Sequence, residues 1–279
     1  RTRDHRDGWL PVHELCNNQK LDDIVALEIL QFMLGVDSTL VRERNDHGEL
    51  PLHYAVGLMS TAFFKVLIDT YPESLRIESD GNLPIHMACR MRDRDDLVDT
   101  IQHLLELYPE SINARDGKGW LPIHRASTKK GVEVLETLLM HDPDAATKVT
   151  NNEHRKLPLH LACGCNKEQR DVVVVKTLYD AFPQAIHLRN NNGLGRVPLE
   201  YAREKRYEAA VNFLETQNVY AQKAKDSTAM HTLDHNGWLP LHHALKDKAP
   251  LGSIKFLLKG NPSAIRIISN IGTLPVHIA

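Results

Sequence analysis

An all-α solenoid of about seven helix-loop-helix units, joined by hairpin-like loops, is the fold this sequence predicts. Three observations carry the prediction. A signature of the form Gly-x-Leu-Pro-apolar-His-x-Ala returns eight times along 279 residues. Apolar residues at helical spacing follow it. A second proline then recurs at a fixed place in the unit. A helix pair of this size cannot bury its apolar face alone, so consecutive units stack to build one core.

The copies read Gly8-Trp-Leu-Pro-Val-His13, Gly48-Glu-Leu-Pro-Leu-His53, Gly81-Asn-Leu-Pro-Ile-His86 and Gly119-Trp-Leu-Pro-Ile-His124. They continue as Lys156-Leu-Pro-Leu-His160, Gly195-Arg-Val-Pro-Leu-Glu200, Gly237-Trp-Leu-Pro-Leu-His242 and Gly272-Thr-Leu-Pro-Val-His277. Successive motif prolines lie 40, 33, 38, 36, 40, 42 and 35 residues apart. The expected organisation is one array over 1–279. Its repeat cores fall at 8–16, 48–55, 81–89, 119–126, 156–163, 195–202, 237–244 and 272–279, with an irregular repeat at 203–236.

Each element follows from local chemistry. Proline suits the first helical position, where its missing N–H has no partner to lose. A short helix is expected after it, ending near Cys16, Cys89 or Cys163. The second helix is apolar at helical spacing, as in Phe63, Phe64, Val66, Leu67 and Ile68, or Val132, Val134, Leu135, Leu138 and Leu139. Its stop signal is the second proline, in Tyr71-Pro-Glu-Ser, Tyr108-Pro-Glu-Ser, Asp142-Pro-Asp-Ala, Phe182-Pro-Gln-Ala and Asn261-Pro-Ser-Ala.

At these residues the chain resembles the ankyrin repeat family, whose pattern Asp-x-x-Gly-x-Thr-Pro-Leu-His-x-Ala recurs near 33 residues. The resemblance covers essentially the whole sequence. It implies an ankyrin-repeat α-solenoid in which each unit is a protruding loop followed by two antiparallel helices. Periods above 33 are expected to reflect loop insertions, with extra residues between helices at Arg90 to Asp96 and Gly164 to Asp171. The mixed-charge run over Arg90 to Asp96 reads as a solvated loop, or as a contact for a partner carrying both charges.

The sequence departs from the family at the residue before the proline. Leu stands there in seven copies and Val197 in the eighth, where the family has Thr. Losing a Thr cap costs about 1 kcal/mol, and burying a Leu returns about 1.5–3 kcal/mol. The motif residues His13, His53, His86, His124, His160, His242 and His277 then fall near the third helical position. A side-chain acceptor there reaches back to an unpaired N–H at the helix start. Glu200, which replaces histidine in repeat six, is the residue a capping box prefers at that place. These residues are expected to be structural. If a neutral ring nitrogen is the acceptor, the array should loosen at mildly acid pH. Repeat six also lacks the second proline, and Glu208 to Ala229 is expected to form an extended helix running into a linker. It is either a divergent repeat or a dedicated bend or partner site.

Composition narrows function further. Lys plus Arg (34) nearly balances Asp plus Glu (36), so no basic excess drives binding to nucleic acid. The longest aliphatic run, Val172 to Val175, is far short of a membrane span. The amino terminus carries no secretory signal. Four cysteines in this length fit reduced thiols inside a cell, cytoplasmic or nuclear. The spacing of His13/Cys16, His86/Cys89 and His160/Cys163 makes a two-ligand half-site on a helix face geometrically possible, but zinc needs three or four converging ligands. Each Cys stands where the family has Ala and behaves as a small buried hydrophobe. Cys163-Gly-Cys165 is too short for a redox or zinc motif. No phosphate loop, nucleophile elbow or metalloprotease helix is present. The expectation is therefore no enzyme, no catalytic residue, no metal and no cofactor.

The position after the loop glycine is the better lead. Trp9, Glu49, Asn82, Trp120, Lys156, Arg196 and Trp238 occupy it, with Thr273 in the last copy. The family resemblance implies that it lies on the loop ridge facing the concave surface, where partners are touched. Its variable occupants fit exposure, and exposed Trp is enriched at binding hot spots. Alternatively the tryptophans pack on neighbouring loops and stiffen them. The expected function is a protein–protein interaction scaffold for another protein or peptide. Alternatives are a targeting or regulatory segment of a larger enzyme or channel, and a structural subunit of a large assembly. The sequence begins just before a loop and stops inside a first helix, without polar capping repeats, so a longer polypeptide is expected.

Overall fold

The computed structural model describes residues 8–90, 96–129, 131–165, 171–191, 195–225, 230–270 and 272–278, with the side chains of 220–225 left aside. Among them are fourteen α-helices in seven pairs. The first-helix series is α1 (Pro11–Asn17), α3 (Pro51–Leu58), α5 (Pro84–Ala88), α7 (Pro122–Ala126), α9 (Pro158–Cys163), α11 (Pro198–Glu204) and α13 (Pro240–Lys246). The second-helix series is α2 (Asp23–Val36), α4 (Thr61–Thr70), α6 (Leu97–Leu107), α8 (Glu133–His141), α10 (Val172–Ala181), α12 (Glu208–Lys225) and α14 (Leu251–Gly260). Most of each insert lies outside the described residues: 91–95 of the charged loop, 166–170 of the other, and 226–229 beyond α12.

Every first helix begins at the motif proline, and its N-cap is the preceding Leu or Val in extended conformation. Leu10, Leu50, Leu83, Leu121, Leu157 and Leu239 are all buried, so side-chain burial replaces a hydroxyl cap there. The eighth copy differs: Pro275–His277 is a 3-10 turn. Asp22, Ser60 and Asp171 cap the second helices α2, α4 and α10 through their side chains.

The second proline does more than stop a helix. In Pro72–Arg76, Pro109–Asn113, Pro143–Thr147, Pro183–His187 and Pro262–Arg266 it opens a 3-10 turn of five residues. Ser38–Arg42 does the same without proline, capped by Asp37. The fixed φ of proline is pre-set for helical turns as well as hostile to continuing one, which reconciles the two roles.

The chain forms two compact units: residues up to Ala145 with Thr150–Glu153, and Ala146–Val149 with His154 onward. In the first unit α1, α3, α5 and α7 stack in order, and α2, α4, α6 and α8 stack behind them. Phe63, Phe64, Leu67, Ile101, Leu104, Leu135 and Leu138 fill the space between the layers. Polar groups register neighbouring helices: Thr61 of α4 gives its N–H to Asp96 at 2.6 Å and meets Thr100 of α6 at 2.8 Å. In the second unit α9 packs on α11, and α14 touches both α12 and α10. No helix among the described residues is long and apolar enough to cross a membrane.

Candidate functional site

The loops position the candidate residue that ends each turn. A left-handed glycine closes the turn at Gly48, Gly119, Gly237 and Gly272, with φ between 72° and 78°. Three residues upstream stands Asn45, Asp116, Asp234 or Ser269, paired with the ridge residue through the backbone. Asp116 Oδ1 accepts the N–H groups of Lys118 and Trp120 at 2.8 and 2.9 Å, and Asp234 does the same for Asn236 and Trp238 at 2.8 Å each. Burial pushes the Asp116 carboxyl up, but the Trp120 N–H and the Arg125 guanidinium outweigh it and hold it below the usual range. Neighbouring loops also bond directly, as in Asn151 N to Gly119 O at 2.8 Å and Asn270 N to Asn236 O at 3.1 Å.

Behind the loops sits the motif histidine. Nδ1 accepts the N-cap N–H in every copy that has one: Leu10 to His13 at 3.1 Å, Leu50 to His53 at 2.8 Å, Leu83 to His86 at 3.1 Å and Leu121 to His124 at 3.0 Å. Leu157 to His160, Leu239 to His242 and Leu274 to His277 follow at 3.2, 3.0 and 3.3 Å. In repeat six Val197 donates to Glu200 at 2.8 Å. The opposite ring nitrogen meets a carbonyl further along the chain: Glu49 for His13, Ile77 for His53, Ala114 for His86, and both Leu188 and Arg196 for His160. One imidazole thus closes a helix start and bonds the following repeat. This fixes the neutral tautomer with Nε2 protonated, and leaves these four rings no lone pair for a metal. Burial pushes His53, His86, His160 and His242 below the ordinary histidine value, His160 to about 4. His277, in the 3-10 turn, is exposed.

Cys16, Cys89, Cys163 and Cys165 are buried thiols outside any disulfide. Burial raises the thiols of Cys16, Cys89 and Cys163, that of Cys89 to about 12. These are inert packing groups.

The ridge residues are less exposed than their variability led us to expect. Trp9, Glu49, Asn82, Trp120, Lys156 and Trp238 are half-buried, and Arg196 alone of the seven is exposed. The reason is a partner invisible in the signature, the residue five positions on, immediately after the motif His or Glu. Arg125 lies 4.8 Å over the Trp120 ring while pairing with Asp116. Tyr54 bonds Glu49 and stacks 4.6 Å from Trp9 of the repeat before. Tyr201 is covered by Lys156 at 4.7 Å and Arg196 at 5.9 Å. His243 lies 5.2 Å from Trp238 and 2.9 Å from Asp234. Lys246 lies over the same ring at 5.1 Å. Asn82 is spent on its own turn, donating to Asp80 and Ser79. Tyr54, Arg125, Tyr201 and His243 therefore pack against the candidate residues.

Within each unit the arrangement offers half-buried rings, with a cation laid on Trp120, Tyr201 and Trp238, beside loops whose turns are closed by hydrogen bonds. Such a surface presents large contact area at little ordering cost. Among the described residues no group of three or more His, Cys, Asp or Glu side chains is placed to hold a metal ion.

No protein-family model matches the chain. It is similar to a probable 26S proteasome regulatory subunit p28 of Saccharomyces cerevisiae, 27% identical over 205 residues that cover 71% of this chain and 79% of that protein.

Proposed function

We propose that this chain is a non-catalytic interaction scaffold of the ankyrin repeat family, which holds a protein partner on the ridge formed by Trp9, Glu49, Asn82, Trp120, Lys156, Arg196 and Trp238 with Tyr54, Arg125, Tyr201 and His243. The observation that carries the reading is the ring-and-cation pairing between two variable positions of an otherwise repeated signature. The shared residues are consumed in folding, and the differing ones converge on one register. Trp, Tyr and Arg are the residues in which interface energy concentrates. On this reading the eight cores form a single array and act inside the cell, in cytoplasm or nucleus.

A second reading, a structural subunit of a large assembly, is favoured by the similarity to a proteasome regulatory subunit. Both are tested together. The chain and a Trp9→Ala/Trp120→Ala/Trp238→Ala variant are used as baits at equal folded concentration, and the recovered proteins are quantified. A partner retained by the chain and lost by the variant supports the scaffold. Partners held equally by both would contradict the ridge, and a stoichiometric multi-subunit complex held equally by both would favour the second reading.

A further inference from the structure

A cleft of about 560 Å³ opens in the second unit between α10, α12 and the turn into α14. This is the size of a ligand site. Its origin is the irregular repeat. Without the second proline α12 runs for 18 residues, and α14 packs on both α12 and α10. A buried polar chain joins the three helices: Tyr179 of α10 meets the Ser253 hydroxyl of α14 at 3.0 Å, and Ser253 donates to Gln217 Oε1 of α12. Gln217 is 2% exposed, yet it lines the cleft. Its Nε2 makes no hydrogen bond among the described residues, so a buried amide keeps two unspent donors at the cleft.

The rest of the wall has a definite chemistry. Lys176 and Lys248 line it, Lys176 with its ammonium 5.9 Å from the centre of the Phe213 ring, and Phe213, Ala249 and Pro250 supply apolar surface. Lys248 is held by a left-handed backbone, φ 50°, with its N–H on Leu245 O at 3.0 Å. Two carboxylates, Asp180 and Asp247, also line it. Asp180 accepts the Gly252 N–H at 2.7 Å and is drawn to the charges of Lys255 and Lys176.

We propose that this cleft binds a short acidic peptide segment of another protein. Lys176 and Lys248 take its carboxylate, the Gln217 amide donates to a peptide carbonyl, and an adjoining apolar side chain rests on Phe213. The site is separate from the ridge and does not depend on it.

The test uses a displayed library of random dodecapeptides selected on the full chain. Enrichment of Asp or Glu beside an aromatic or aliphatic residue is expected. A resynthesised winner should bind a Lys176→Glu/Lys248→Glu variant at least ~10-fold more weakly, a fold-change of the size expected for lost charge pairing. Both lysine variants should still melt cooperatively, and Trp238→Ala should leave binding intact. The neutral Lys176→Gln/Lys248→Gln pair, which adds no repulsion against Asp180 and Asp247, should show an intermediate loss. Selection without acidic enrichment, or acidic peptides bound equally by both lysine variants, would overturn the proposal. So would peptide binding lost with Trp238→Ala alone.

Discussion

Nδ1 of His53 accepts the backbone N–H of Leu50 at 2.8 Å inside a site where both residues are fully buried. The same ring bonds the Ile77 carbonyl 24 positions further on. A single neutral imidazole therefore terminates one element and registers the next, and the repeat depends on its staying neutral.

That dependence has a sign. Burial lowers the folded-state value of His53, His86, His160 and His242, so the unfolded chain, with histidines near 6.5, binds protons that the folded chain refuses. Stability is full above about pH 6.5 and is lost as pH falls toward the folded values, about 4 for His160. At pH 5.5 His160 alone should cost about 1 kcal/mol. Thermal melts from pH 8 to 5 should show the midpoint falling through the mildly acid range. A flat midpoint would remove the neutral acceptor from the account.

Substitution separates the acceptor from the ring. His53→Ala leaves the Leu50 N–H and the Ile77 carbonyl buried and unpaired, a loss of roughly 2–4 kcal/mol. His53→Gln keeps an acceptor of the kind a capping box uses. It should cost less than half as much by urea titration, and its stability should vary less between pH 7 and 5 than that of the parent chain. Equal losses in the two variants would mean that ring packing, not the hydrogen bond, is what matters.

Two glycines give opposite expectations. Gly81 has φ +69°, and a Cβ there would lie 2.7 Å from the Gly117 Cα. Gly81→Ala should destabilise by about 1–2 kcal/mol or more, from the left-handed backbone alone. Gly35 sits near the end of α2 with nothing within 4 Å, so Gly35→Ala should be neutral or stabilise by up to about 1 kcal/mol. Chemical denaturation of the two variants beside the parent measures both.

Much of this was legible in the sequence, because the signature encodes backbone needs. Proline at Pro51 and glycine at Gly48 state their φ values directly, and His53 sits at the one helical position from which a side chain reaches the cap. The 3-10 turn opened by Pro72 was not legible as more than a stop, since proline favours both endings and beginnings. The half-burial of Trp120 was hidden for another reason. Its partner Arg125 is as variable along the array as Trp120 itself, so only the pair carries the pattern. The contact of α14 with α10 depends on Ser253, Gln217 and Tyr179 meeting across 74 residues of chain, which no local periodicity encodes.

The thiols provide a check on packing. Cys89, with its value raised to about 12 by burial, and the equally buried Cys16 and Cys163 should be silent to a disulfide-exchange reagent at pH 8. All four cysteines should react once guanidinium unfolds the chain. Fast reaction of Cys89 in the native protein would show that the first helices open far more easily than their buried caps allow.

The most direct measurement is made on Trp120→Ala with a partner recovered by the bait experiment. Calorimetric titration gives the affinity, and a melt of the same sample gives the fold. Trp120 is half-buried under Arg125, but the turn beneath it is held by Asp116 and Gly119 through the backbone. The account predicts that binding weakens by at least ~10-fold, as for a hot-spot aromatic, while the midpoint moves by no more than a few degrees. Unchanged affinity, or affinity lost only in step with melting, would contradict it.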